Sequence, residues 1–183
     1  MRKDFGAKPI LYPQPVLIIG TYSEDGTPNA MNAAWGGICG ANKIIIDLGA
    51  HKTTDNILRN KAFAVAVADT PHMVEADYLG LVSGNNVPDK VAKAGLHTVK
   101  SDKVNAPIIE EFPITLECKM LRFTEDGIVG EIVNVCAQNW VLDESGEIDP
   151  AKVQAITYDT VRHTYIQLGE TVGNAFQDGA KLK

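Results

Sequence analysis

From position 16 to 22 the chain reads Val-Leu-Ile-Ile-Gly-Thr-Tyr, an apolar run of strand length that stops at the turn formers Ser23, Glu24, Asp25 and Gly26. It resumes through Thr27 and Pro28 into a segment starting at Asn29, and the two halves predict a hairpin. Further strands are predicted over 43–49 and 62–68, the second with Phe63, Val65 and Val67 in strict alternation. A helix of about two turns over 54–60 separates them. After Pro71, Met73, Val74, Ala76, Tyr78, Leu79 and Leu81 form an imperfect helical stripe that ends near Ser83 and Gly84. A second short helix is expected after Pro88, with Val91 and Ala94 inward, Lys90 and Lys93 outward, and Gly95 closing it.

Farther on, Ile114, Leu116, Cys118 and Met120 alternate with Thr115, Glu117 and Lys119, the period of a strand with one buried face. Glu125 to Gly127 reads as a turn, and the Ile- and Val-rich stretch 128–137 as the other arm of a long antiparallel hairpin. Asp149 and Pro150 resemble a helix start, while 156–158 has the composition of a strand. The tail from 161 to 183 carries Tyr165, Leu168 and Phe176 between glycines, too apolar for a disordered end. It is expected to dock, a second subunit being one candidate surface. Hairpin-joined strands with few short helices predict a mostly β, α+β fold. The expected form is a closed or nearly closed antiparallel barrel, built by residues 1–183 as one domain.

Composition narrows the classes of function. With 183 residues, 45% hydrophobic and 22% charged, the chain can bury a core without metal or disulfide staples. A formal charge of −6 and the lack of any Lys/Arg cluster exclude a nucleic-acid partner. Cys39, Cys118 and Cys136 are odd in number, far apart and set in apolar or small-residue stretches, so buried free thiols are expected. The first residues lack a signal-peptide core and no run reaches the roughly 18 apolar residues of a membrane helix, which predicts a cytoplasmic protein without a membrane partner. His51, His72, His97 and His163 are dispersed, and no metal is expected.

Two segments carry candidate chemistry. Positions 29–37, Asn-Ala-Met-Asn-Ala-Ala-Trp-Gly-Gly, combine small side chains with amides, so a backbone can approach a flat ring while Asn29 and Asn32 meet its polar edge. Positions 51–56, His-Lys-Thr-Thr-Asp-Asn, bring a cation and hydroxyls to a predicted helix start, where a phosphate can dock. Thr53 would equally serve as a plain N-cap, and the glycines as a tight strand crossing. There is no nucleophile elbow, Walker loop or dinucleotide fingerprint, and the adjacent Glu110 and Glu111 read as a solvated loop. A protein without a proton-transfer constellation can leave the chemistry to a bound cofactor.

The chain resembles the flavin reductase-like FMN-binding family, most closely its flavoredoxin members. The likeness rests on Asn29-Ala30-Met31-Asn32 after the Gly26 hairpin, Trp35, and the Lys52-Thr53-Thr54 turn with Asn56. It continues with Leu81-Val82-Ser83-Gly84 before Asp89-Lys90, the strand Gly130-Glu131-Ile132-Val133, and Tyr165 to Gly169. The resemblance implies a split β-barrel, Greek-key-like with short flanking helices, that binds FMN without a covalent bond as a homodimer. By that analogy Asn29 to Asn32 line the isoalloxazine edge, with Trp35 near the ribityl or phosphate region. Lys52, Thr53, Thr54 and Asn56 hold phosphate, Ser83, Gly84 and Lys90 close the pocket, and Tyr165 covers the ring or reaches a neighbouring subunit. Nicotinamide-dependent members commonly place a histidine at the turn that here reads Glu125-Asp126-Gly127. Electron transfer with a redox protein partner is therefore the leading expectation. NAD(P)H:flavin oxidoreductase is the first alternative, and a split barrel for a non-flavin cofactor the second.

Overall fold

In a computed structural model describing residues 1–183, the chain forms β1 (Leu17–Tyr22), β2 (Pro28–Ala33), β3 (Gly36–Gly40) and β4 (Lys43–Ile46). Then come α1 (Lys52–Asn60), β5 (Ala62–Val67), α2 (Met73–Leu81), α3 (Lys90–Lys93), β6 (Thr98–Lys100) and β7 (Pro107–Ile109). The long pair β8 (Ile114–Thr124) and β9 (Gly127–Ala137) precedes α4 (Pro150–Val153), β10 (Ile156–Asp159) and β11 (Thr164–Gln167). Seven strands make one antiparallel sheet in the order β2-β1-β5-β8-β9-β4-β3, while β10 pairs with β11 and β6 with β7. The sheet is mostly β in a split form: its end strands β2 and β3 do not pair with each other, so the barrel stays open.

Burial explains why β1 and β5 read as unbroken apolar runs. Ile18 and Ala66 belong to a cluster under α2 and α3 with Leu79, Val91 and Phe112, whereas Leu17, Ile19, Phe63 and Val65 belong to a second cluster with Ile46, Ile57 and Ile128. Both faces of these central strands are covered, so neither needs polar alternation. The second cluster has no spare volume at Gly130, where an added Cβ would lie 2.5 Å from Phe63 Cζ and 2.9 Å from its Cε1. Phe63 is fully buried and cannot swing away. Gly130→Ala is expected to destabilise the fold by about 1–2 kcal/mol through overpacking, read as a lower urea midpoint at unchanged slope.

Several expectations change. β3 occupies the stretch read as a tight crossing of glycines, and β6 and β7 are too short to leave a periodic signal. Cys39 is exposed on β3, at the end of the sheet, rather than buried; Cys136 is half-buried, and only Cys118 is fully buried, its thiol pushed up to about 12 by that burial. Lys90 does not face solvent. It is 2% exposed, and its Nζ donates to the carbonyls of Leu79 and Val82, at 2.9 Å each, where α2 ends. No helix is long and apolar enough to cross a membrane.

Candidate functional site

The site begins at the start of α1. Its cap residue His51 is extended and gives no side-chain cap, and the backbone N–H groups of Lys52, Thr53 and Thr54 find no acceptor within the chain. Three aligned donors and the positive end of a nine-residue helix therefore face outward beside the Lys52 ammonium. Behind them the side chains lock into a frame. Asn29 Nδ2 donates to Thr53 Oγ1 at 2.8 Å and Thr21 Oγ1 at 3.3 Å, and Asn56 Nδ2 donates to Thr21 Oγ1 at 3.1 Å. Thr54 Oγ1 donates to the Gly49 carbonyl at 2.7 Å. Thr54 and Asn56 thus brace the helix start from within.

One buried polar atom in this frame has no partner, Asn29 Oδ1. An added Cβ on Gly84 would lie 2.2 Å from that atom and 3.4 Å from Lys52 Cγ, so the Ser83-Gly84 loop can lie against the corner only without a side chain. Turning the Asn29 amide over lets Oδ1 accept from the Thr53 and Thr21 hydroxyls and aims the NH2 into the same corner as a free donor. The corner opens into a polar recess of about 460 Å³ lined by Lys52, Gly84, Asn85, Thr27 and Asp25. Hydrogen bonds from Thr27, helped by the Lys52 charge, hold the Asp25 carboxyl below its usual range.

A second cleft, of about 470 Å³, has His51, the neighbour of Lys52 in sequence, in its wall and is lined by Met31, Asn32, Trp35, Leu48, Asp77 and Tyr165 among others. Its wall joins three elements. Asn32 Nδ2 on β2 donates to the Ala76 carbonyl of α2 at 3.0 Å and to Tyr165 Oη of β11 at 3.4 Å, while Tyr165 Oη donates to Asp77 Oδ1 at 2.7 Å. Burial and then Asp77 push the Tyr165 phenol up to about 12, so it stays a donor at neutral pH. Gly80 allows α2 this close to β2, since a Cβ there would lie 3.2 Å from Asn32 Cβ. Trp35 is 45% exposed and forms one side of the cleft.

Strand geometry redistributes the residues expected at the ring. Successive residues of β2 face opposite ways, so Asn29 and Met31 point toward α1 and the barrel interior, while Ala30 and Asn32 point toward α2. Asn29 consequently belongs with Thr53 at the polar corner, and the Ala30 side chain lies in the core. Trp35 lines the cleft of Asn32 and Tyr165, not the recess of Lys52. Ser83 Oγ accepts from Asn85 N–H at 3.2 Å and shapes the loop, and Lys90 lines neither recess. Sequence reasoning missed Asp77, Gly80 and Tyr158, none of which stands in a local motif. His51 lay within the candidate segment 51–56 but was given no role of its own.

A corner of free amides and one cation can hold a dianionic phosphomonoester, and the adjoining aromatic cleft can hold a flat ring with polar edges. Known proteins share this architecture. The flavoredoxin of Desulfovibrio vulgaris (Miyazaki F) is 36% identical, with a TM-score of 0.94 over 98% of this chain and 100% of that one. Flavoredoxin from Methanosarcina acetivorans is 26% identical, with a TM-score of 0.87 over 100% of both chains. The FMN-binding domain of a flavin reductase-like enzyme from Shewanella baltica OS155 shares the fold at 19% identity, with a TM-score of 0.77 over 88% of this chain and 89% of that one. The architecture is thus the split β-barrel. Residues 10–156 match the flavin reductase like domain, a stretch that contains the whole Lys52 corner and all of the cleft wall except Tyr158, His163 and Tyr165, and on this the chain belongs to the flavin reductase-like family.

Proposed function

We propose that the protein is an FMN-binding flavoprotein that transfers electrons in the manner of a flavoredoxin. The observation that carries this reading is the polar corner: Lys52, three unpaired N–H groups of α1 and the orphaned Asn29 amide converge beside a cleft of ring size. FMN, when bound, supplies one- and two-electron redox chemistry. The chain's own residues bind and orient it: the corner takes the phosphate, while Asn32, Trp35 and the Tyr165 hydroxyl held by Asp77 border the ring. Purified protein is expected to be yellow, with the flavin band at roughly 450 nm. Colourless protein that takes up no FMN and gains no thermal stability from it overturns the reading.

Gly84→Ala tests the corner separately. The added methyl would displace the buried Asn29 amide, so FMN affinity is expected to fall about tenfold and the flavin-free protein to lose stability as well, by flavin titration and urea unfolding. The electron partner on this reading is another redox protein. Asp47 and Asp77 line the ring cleft without any Lys or Arg, which disfavours the phosphates of NAD(P)H, and no histidine stands in the turn Glu125 to Gly127. Rapid anaerobic bleaching by NADH or NADPH would instead establish a flavin reductase. We also assign the protein as a homodimer, because Ile38, Val133 and Val135 are exposed on β3 and β9. Light scattering at micromolar concentration reads the mass directly.

A further inference from the structure

The last fifteen residues, 169–183, make no hydrogen bond to the rest of the chain. Their bonds close only on one another: Asn174 N–H donates to Asp178 Oδ2 at 2.8 Å, and Asp178 N–H to the Asn174 carbonyl at 3.1 Å. The segment nonetheless keeps a turn and a 3-10 helix, Asp178–Leu182. Val172, Phe176 and Leu182 project from it at 101%, 108% and 94% exposure. Phe176 has φ +63°, a left-handed conformation that costs a bulky residue free energy, and nothing in its own chain offsets that cost. An ordered segment with three bare apolar side chains and a strained aromatic is a binding element without its receptor.

We propose that residues 169–183 are an arm exchanged between two copies of this chain, the Val172 and Phe176 side chains of each lying on the exposed apolar residues of β3 and β9 of the other. The same chain carries both halves of the contact, apolar arm and apolar receptor, and a two-fold dimer uses each of them twice. Glu170 and Asp178 balance Lys181 and Lys183, so the arm has no charge preference for a basic or an acidic partner. A stable dimer needs roughly 800 Å² from each subunit, and the arm adds area that Ile38, Val133 and Val135 do not supply alone. The match to the solved Desulfovibrio flavoredoxin spans 98% of the chain, so most of the arm lies within the matched length. This assignment rests on the homodimer proposed above and specifies how it is held.

Amide hydrogen exchange of residues 170–178, measured on the full FMN-loaded chain across a dilution series, tests it alongside the mass. Protection is expected to rise at least tenfold from dilute to concentrated protein, in step with dimer formation. The double variant Val172→Ser, Phe176→Ser is expected to weaken dimerisation at least tenfold while leaving the thermal midpoint of the monomer unchanged, since both side chains are bare in the single chain. Free-peptide exchange rates in protein that is fully dimeric overturn the arm but keep the dimer. Protection that persists at dilutions where light scattering reads monomer, or in the double variant once it is monomeric, places the arm on its own subunit and overturns the exchange, and a protein that stays monomeric overturns both. None of these outcomes depends on whether the bound flavin exchanges electrons.

Discussion

Lys52→Glu is expected to weaken FMN binding by about 2 kcal/mol or more, roughly thirtyfold, because a charge-assisted contact to phosphate becomes a repulsion. The helix amides cannot compensate. Their partial positive charge suits an anion only while the neighbouring side chain does not cancel it, and Asp25 already places a carboxylate at the rim of the same recess. Riboflavin, which lacks the phosphate, should bind wild type and variant alike. Titration of the flavin-free protein with both ligands, followed by flavin fluorescence, checks this. Equal FMN affinity in the two proteins would move the phosphate away from α1.

The second large effect concerns Lys90, through pH. Burial lowers its amine from an ordinary lysine pKa of about 10.4 to about 8, although Nζ donates to two carbonyls. A neutral amine still has two hydrogens, so deprotonation can leave both bonds in place. Below pH 8 the folded and unfolded chains both carry the charge, and the folded state bears the whole cost of burying it. Between about 8 and 10.4 the folded amine is neutral while the unfolded one still holds its proton, so the unfolded state binds more protons and stability rises with pH. The gain from this group is on the order of 3 kcal/mol across that window. Lys90→Met removes the titration and leaves the Leu79 and Val82 carbonyls without their donor, at about 1–3 kcal/mol each. The variant should therefore be close to wild type at pH 7 and clearly less stable near pH 10, by urea unfolding at both values. A wild-type-minus-variant difference that is flat with pH would mean that the amine is not desolvated.

The two predictions differ in how far the sequence foretold them. Lys52 stands in a local motif, cation and hydroxyls before an apolar helix, and local motifs survive folding because the helix start itself gathers their donors. Lys90 has the same local features as a surface charge, next to Lys93 at helical spacing. Its burial follows from the end of α2 presenting two carbonyls to α3, a contact between segments that lie 8 and 11 residues away. Cys39 fails in the same way. Set among small and apolar residues it reads as core, but β3 is the last strand of the sheet and nothing within the chain covers it.

By itself the sequence determined the hairpin of β1 and β2, the alternation of β5 and β8, the long β8–β9 pair, α1 and α2, and the gathering of a cation and hydroxyls at the start of α1, because turn chemistry, periodicity and helix starts are all local. Tertiary structure alone decided that β2 sends Asn29 to the corner and Asn32 to the cleft, that Trp35 stands apart from Lys52, and that Tyr165 is oriented by Asp77 across 88 residues. Each depends on which strand or helix lies next in space. That choice is made by burial over the whole chain, and no short window of residues contains it.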